Sequence, residues 1–306
     1  MWRATIFRRK GPSIVMTKQV IITSDSAADL PRQMRAEIGL HTLPLHITSE
    51  ERSGRDCVDI FPGELFEAFC ERKSIPKTAS PSPEEYRVFF EEFTRQGASV
   101  VHVSLNSKHS SCCQNAMLAA REAGGEIHVV DSLNFCASQG MLCVQADLLR
   151  GKGLVAAEIA EELIRLRGKV WGWYYMDALD FIAKSGRFPA VLALGAGLLS
   201  LHPAIYSDGG TGGFAIGRKY RGRSAQAAEA WLRDTARRFL EECDPALCLL
   251  VHTHDISPEL REPMYRLAAE LLPGVGRLEV GSEGCVGCVT VSHVGGGSFG
   301  LIGMAK

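Results

Sequence analysis

The chain has 306 residues, 46% of them hydrophobic and 23% charged, with a formal net charge of −1. That length accommodates two domains with separate cores and excludes both a single small domain and a disordered chain. The near-neutral balance, with basic residues scattered, excludes the broad positive field on which nucleic-acid binding depends.

Residues 1–16, with Arg3, Arg8, Arg9 and Lys10 around a brief apolar stretch, lack the continuous hydrophobic core and cleavage pattern of a signal peptide. They read as a disordered tail or as a start assigned too early. Ten cysteines spread along a chain without a secretory signal imply reduced thiols in a cytosol rather than a disulfide framework. No apolar run reaches the roughly 18 residues of a membrane helix, so no stable membrane insertion is expected.

From residue 17 to 168, short β-branched runs alternate with helical periodicity, the pattern of a parallel sheet flanked by helices. Runs at 20–23, 100–103 and 127–130 lead into Ser24-Asp25-Ser26, Ser104-Leu105-Asn106-Ser107 and Asp131-Ser132. Polar residues at the carboxyl ends of such strands either cap helices or line a ligand crevice. The segment 78–83 (Thr-Ala-Ser-Pro-Ser-Pro) reads as a loop, because its prolines hold off a helix until about Glu84. Ser107-Lys108-His109-Ser110-Ser111-Cys112 follows a strand and precedes a helix from about Gln114, so its backbone amides favour an anion. A helix over 155–167 closes this half.

Residues 169–306 read as an α+β domain with a mixed or antiparallel sheet. Strands are expected at 170–175, 204–207, 214–220, 247–253 and 301–305, with an apolar helix at 189–199. The turn Asp208-Gly209-Gly210 makes the second and third of these strands antiparallel neighbours. Arg187, in Lys184-Ser185-Gly186-Arg187, and Arg221, in Arg221-Gly222-Arg223, offer planar donors for carboxylate or phosphate, or are solvated surface residues. His293 precedes three consecutive glycines. Cys285 and Cys288 have zinc-ligand spacing without a second pair and read as structural thiols, so no metal is expected. There is no Walker sequence, no strand-to-helix GxGxxG and no GxSxG elbow.

In this order the segments resemble the DegV family, the fatty-acid-binding subunits of bacterial fatty acid kinase, over roughly residues 18–305. The matching pieces are 20–31 (Val-Ile-Ile-Thr-Ser-Asp-Ser-Ala-Ala-Asp-Leu-Pro), 56–60 (Asp-Cys-Val-Asp-Ile) and the 78–83 loop. Three more follow: the serine-rich 104–116, then Asp177-Ala178-Leu179 with residues 184–187, and His293 with its glycines. The resemblance implies a two-domain α/β fold with the ligand between the domains, and a long-chain fatty acid such as palmitate or oleate. Thr78 and Ser110 would hold its carboxylate with His293 close by. Ser26, Ser107, Ser111, Arg187 and Arg221 would add contacts to the head group or to a partner surface. It also implies a cytoplasmic bacterial protein of phospholipid metabolism with no cofactor and no catalytic residue of its own. A separate ATP-dependent kinase subunit would phosphorylate the bound acid to an acyl phosphate.

The chain departs from the family pattern at Ala79-Ser80, at Ser111-Cys112-Cys113 where Gly-Thr-Tyr is usual, and in its final glycines, which lack a proline. Two other readings are an acyl ester or thioester hydrolase using Ser110 and His293, and a non-lipid small-molecule carrier on the same scaffold.

Overall fold

The computed structural model describes residues 18–72, 75–177, 179–188, 201–208, 210–254, 256–281 and 285–306. The tail at 1–16 and the apolar helix expected at 189–199 lie outside the described residues.

The first half begins with β1 (Val20–Asp25), α1 (Arg32–Glu37) and β2 (His41–Leu43). A small antiparallel sheet follows, made of β3 (His46–Thr48), β4 (Ser53–Arg55) and β5 (Lys77–Ala79), with α2 (Pro62–Arg72) between the last two. Then come α3 (Pro83–Thr94), β6 (Ser99–Ser104), α4 (Cys112–Glu122), β7 (Ile127–Asp131), α5 (Cys136–Gly151) and α6 (Ala156–Leu166). The main sheet of this half is parallel, in the order β2-β1-β6-β7. Both faces of its central strands are covered, which is why β6 is buried along its whole length, with Ser99, His102 and Ser104 as well as its three valines.

The second half contains β8 (Val170–Tyr175), α7 (Leu179–Ser185), β9 (Leu201–Asp208), β10 (Gly213–Arg221), α8 (Ser224–Glu242), β11 (Leu247–His252), α9 (Pro258–Leu271), β12 (Arg277–Val280), α10 (Cys288–Val294) and β13 (Phe299–Met304). Its sheet runs β10-β9-β8-β13-β11-β12 and is mixed: β11 and β12 are parallel, and the remaining neighbours are antiparallel. β9 and β10 form the expected antiparallel pair, with Gly213 opposite Asp208.

Helix α5 joins the halves. It touches β1 and β6 on one side and β8 and β13 on the other, and ten of its residues are buried. Small side chains make that possible: a Cβ on Gly140 would stand 2.6 Å from Leu30 Cγ. One hydrophobic core therefore runs from Val103 through Met141 to Ile302 across both sheets.

Local differences from expectation have plain causes. Thr78 lies on β5 rather than in a loop, because residues 77–79 pair with β3. Helix α3 starts at Pro83, set by Ser82: its hydroxyl accepts from Glu85 N–H at 3.3 Å while Glu85 accepts from Ser82 N–H at 2.8 Å. Helix α4 starts at Cys112, ahead of Gln114. Among the described residues no helix is long and apolar enough to cross a membrane.

Candidate ligand-binding site

Between the two halves lies a cavity of about 540 Å³, within the range of small-molecule sites. Its polar end carries Thr78 from β5, Ser107, Ser110 and Ser111 from the β6–α4 loop, and His293 from the last turn of α10. Its apolar wall includes Leu105, Phe135, Phe188, Phe214, Val289 and Val294. The serine loop leaves the carboxyl end of β6, where open α/β sheets place their ligands.

At the polar end Thr78 Oγ1 and His293 Nε2 are 3.0 Å apart. Burial, assisted by the nearby Arg187 charge, drives the His293 imidazole down to about 4, so it is neutral at pH 7. Its Nδ1 has no hydrogen-bond partner among the described residues. Ser110 Oγ accepts from Cys112 N–H at 3.2 Å and donates to Cys112 Sγ at 3.1 Å, which holds the hydroxyl at the mouth of α4. Ser111 Oγ meets Ser80 Oγ at 2.6 Å, and Asn115 Nδ2 donates to Ser80 Oγ and to the Pro81 carbonyl. These bonds tie the segment after β5 to the serine loop. Ser107 donates to Asp131 at 2.6 Å, anchoring the other end of that loop to β7. The Arg187 side chain is exposed at the rim.

Two of the residues singled out from the sequence stand outside the cavity wall. Ser26 donates to Asp56 Oδ2 at 2.6 Å and accepts from Leu45 N–H, so its hydroxyl is spent on the scaffold. Arg221 is exposed at the end of β10, opposite Leu201. Ser110 and His293 share the cavity, yet their hydrogen bonds go to Cys112 and Thr78 rather than to each other.

The aromatic wall was missed in the sequence. Phe214 lies 4.5 Å from both Phe135 and Phe188 by ring centroids, and Phe135 packs on Tyr174 at 4.8 Å. These rings come from separate elements, and the only local cue is that Phe188 follows Gly186-Arg187 and Phe214 follows two glycines. The β9–β10 tip is latched over them: the Gly212 carbonyl accepts from Asn106 Nδ2 at 2.9 Å and from His109 Nε2 at 3.2 Å. Gly212 has φ +69, and a Cβ there would stand 3.0 Å from Leu133 Cδ2, so a side chain would be both strained and crowded.

Acidic residues within the sequence motifs act beneath the site. Asp25, fully buried, accepts from Ser104 Oγ at 2.9 Å, Leu105 N–H at 2.5 Å and the Tyr86 hydroxyl, with His102 Nε2 at 3.4 Å. Burial alone would raise its pKa, but His102 and these donors together hold it below the usual carboxylate range. Asp29 accepts from Gly287 N–H at 2.8 Å and from Thr290 Oγ1 at 2.6 Å, while Asp56 accepts from Cys288 N–H at 2.8 Å. Both hold α10, whose Thr290 and His293 line the cavity. Burial raises Asp29 to about 7 despite its donors.

A family model described as the DegV family of uncharacterised proteins matches residues 19–306. A DegV domain-containing protein of Deinococcus radiodurans is 26% identical over 282 residues, covering 92% of this chain and 97% of the relative. One from Caldanaerobacter subterraneus is 28% identical over 255 residues, 83% of this chain and 89% of the relative. Among solved structures, a DegV family protein from Thermus thermophilus, described for its fatty acid binding, is 26% identical with a TM-score of 0.80. The alignment covers 94% of this chain and all of that one. A stearic-acid-binding protein from Eubacterium ventriosum shares the fold with a TM-score of 0.81 at 23% identity, over 95% of this chain and 99% of that one.

Proposed function

The chain belongs to the DegV family, and from that premise we propose that it binds a long-chain fatty acid in the cavity between its halves. Thr78 and Ser110 hold the carboxylate, with His293 behind Thr78. The observation that carries this reading is the meeting of Thr78 and His293, 215 residues apart in sequence, at the hydroxyl end of a cavity whose other wall is aromatic.

A carboxylate leaves water only if donors replace its hydration. Neutral hydroxyls do this without a buried counter-charge. With the His293 Nε2 proton on Thr78 Oγ1, the threonine hydroxyl hydrogen is free to point at the ligand, and Ser110 can turn its own from Cys112 Sγ. The tail lies against Phe135, Phe188 and Phe214. At about 0.8 kcal/mol per buried CH₂, some 14 methylenes contribute on the order of 11 kcal/mol before ordering and association costs. Polar residues fix orientation and the tail supplies affinity.

The second step of the proposal is presentation to an ATP-dependent kinase subunit in the cytoplasm, which transfers a phosphoryl group to a carboxylate oxygen. An acyl phosphate and ADP result. Exposed Arg187 at the rim would meet the transferring charge, Ser107 and Ser111 would line the approach, and Arg221 would belong to the partner-facing surface. The halves 17–168 and 169–306 serve as the two domains that enclose the ligand.

Mass spectrometry of small molecules released by denaturing freshly purified protein tests the lipid assignment. A stoichiometric fatty acid is expected. Its repeated absence would transfer the cavity to a non-lipid guest.

A further inference from the structure

Cys288 has a closer chemical neighbourhood than its sequence spacing to Cys285 implies. Asp56 Oδ, Cys57 Sγ and Cys288 Sγ all lie within 4.8 Å of one another, and Cys285 is not among them. Asp56 and Cys57 follow β4; Cys288 opens α10 at the far end of the chain. Zinc bound at about 2.3 Å by sulfur and about 2.1 Å by oxygen places its ligands roughly 3.5 to 4 Å apart, so the three donors need only a small inward movement.

We propose that Asp56, Cys57 and Cys288 bind a thiophilic divalent cation of the zinc type, through two thiolates and one carboxylate oxygen, with the remaining position open to water. Asp56 and Cys288 are buried, whereas Cys57 is half-exposed and provides the entrance. On binding, each thiol releases its proton to solvent, so one cation enters and two protons leave.

The surroundings support this assignment in four ways. Asp56 is oriented as a metal-bound carboxylate would be, receiving Ser26 Oγ–H on Oδ2 at 2.6 Å and Cys288 N–H on Oδ1 at 2.8 Å. Ser26 is itself fixed by Leu45 N–H at 3.1 Å. A Cβ on Gly287 would stand 3.0 Å from both Asp56 oxygens, so this glycine lets the carboxylate reach the thiols. Cys57 adopts φ +55, a left-handed conformation uncommon outside glycine and asparagine, and thereby stays in the cluster.

Deprotonation of Cys288 removes its bond to the Ile60 carbonyl at 3.2 Å, but that carbonyl still receives Cys57 N–H at 2.9 Å. No acceptor is stranded.

The test uses the full chain, reduced and stripped with chelator, then titrated anaerobically with Co²⁺ and challenged with Zn²⁺. The expected result is a near-ultraviolet thiolate-to-cobalt band that saturates at one cobalt per chain and is bleached by zinc. Cys57→Ser, at a half-exposed position, should weaken cobalt binding by more than about 100-fold while the far-ultraviolet circular dichroism is unchanged. Ser26→Ala should weaken it about 10-fold, and Cys285→Ser should leave it intact. Absence of the band in the wild type, a band that survives Cys57→Ser, or its loss on Cys285→Ser would each overturn the assignment.

Discussion

Replacing Asp29 by asparagine perturbs the anchor of α10 without changing its shape. The carbonyl oxygen of the introduced amide can accept from Gly287 N–H as Asp29 Oδ1 does at 2.8 Å, and the amide nitrogen can donate to Thr290 Oγ1, now 2.6 Å from Oδ2. The difference lies in the proton. Burial raises Asp29 from its ordinary 3.8 to about 7, so between those values the folded protein holds a proton that the unfolded chain gives up. Folded stability therefore declines as pH rises through this window, reaches its full penalty above about pH 7, and carries none below 3.8. Each pH step within the window corresponds to 1.36 kcal/mol. The Asp29→Asn variant, free of this titration, should gain on the wild type by about 1.5 kcal/mol at pH 5 and about 4 kcal/mol at pH 8. Urea unfolding of both proteins at the two pH values measures the gain, and the comparison cancels the titrating groups that do not interact with Asp29. A gain that is equal at pH 5 and pH 8 would refute the reasoning, because Asp29 would then be ionised in folded and unfolded chains alike across that interval.

Two further outcomes concern the ligand. Thr78→Ala and Ser110→Ala should each weaken fatty-acid binding about 10-fold, the scale of one hydrogen bond to a charged group, without unfolding the protein; unchanged affinity in both variants would remove them from the carboxylate site. Because burial keeps His293 near 4, affinity in the Asp29→Asn background should be flat between about pH 6 and 8. A steady loss of affinity as pH rises through that interval would instead identify a charged imidazolium as the partner.

The sequence made some parts of this molecule readable because their chemistry is local. Parallel strands buried on both faces, such as β6, appear as short β-branched runs, and the hydroxyls at their ends mark the carboxyl edge where ligands sit. Ser107, Ser110 and Ser111 are legible in that way. Thr78 is legible through family resemblance, but its three-residue strand has no apolar pattern of its own and exists through pairing with β3. Ser26 belongs to another piece of the family pattern, residues 20–31, yet the fold spends it on Asp56. Phe135, Phe188 and Phe214 converge only through tertiary packing, as do Cys57 and Cys288, and no spacing within the chain announces either group. Cys285 is three residues from Cys288 in sequence, yet the thiol grouped with Cys288 and Asp56 in the fold is that of Cys57.

Helix α5 gives the cavity an unusual kind of door. A clamshell exchanges its guest by swinging two lobes about a crease, but here both lobes grip the same helix, and ten of its residues have no water to retreat into. Swinging the lobes apart would tear open the core that runs from Val103 to Ile302. At the rim, the Gly212 carbonyl ties the hairpin tip to Asn106 and His109. Movement of the hairpin tip alone would leave the core shared through α5 intact.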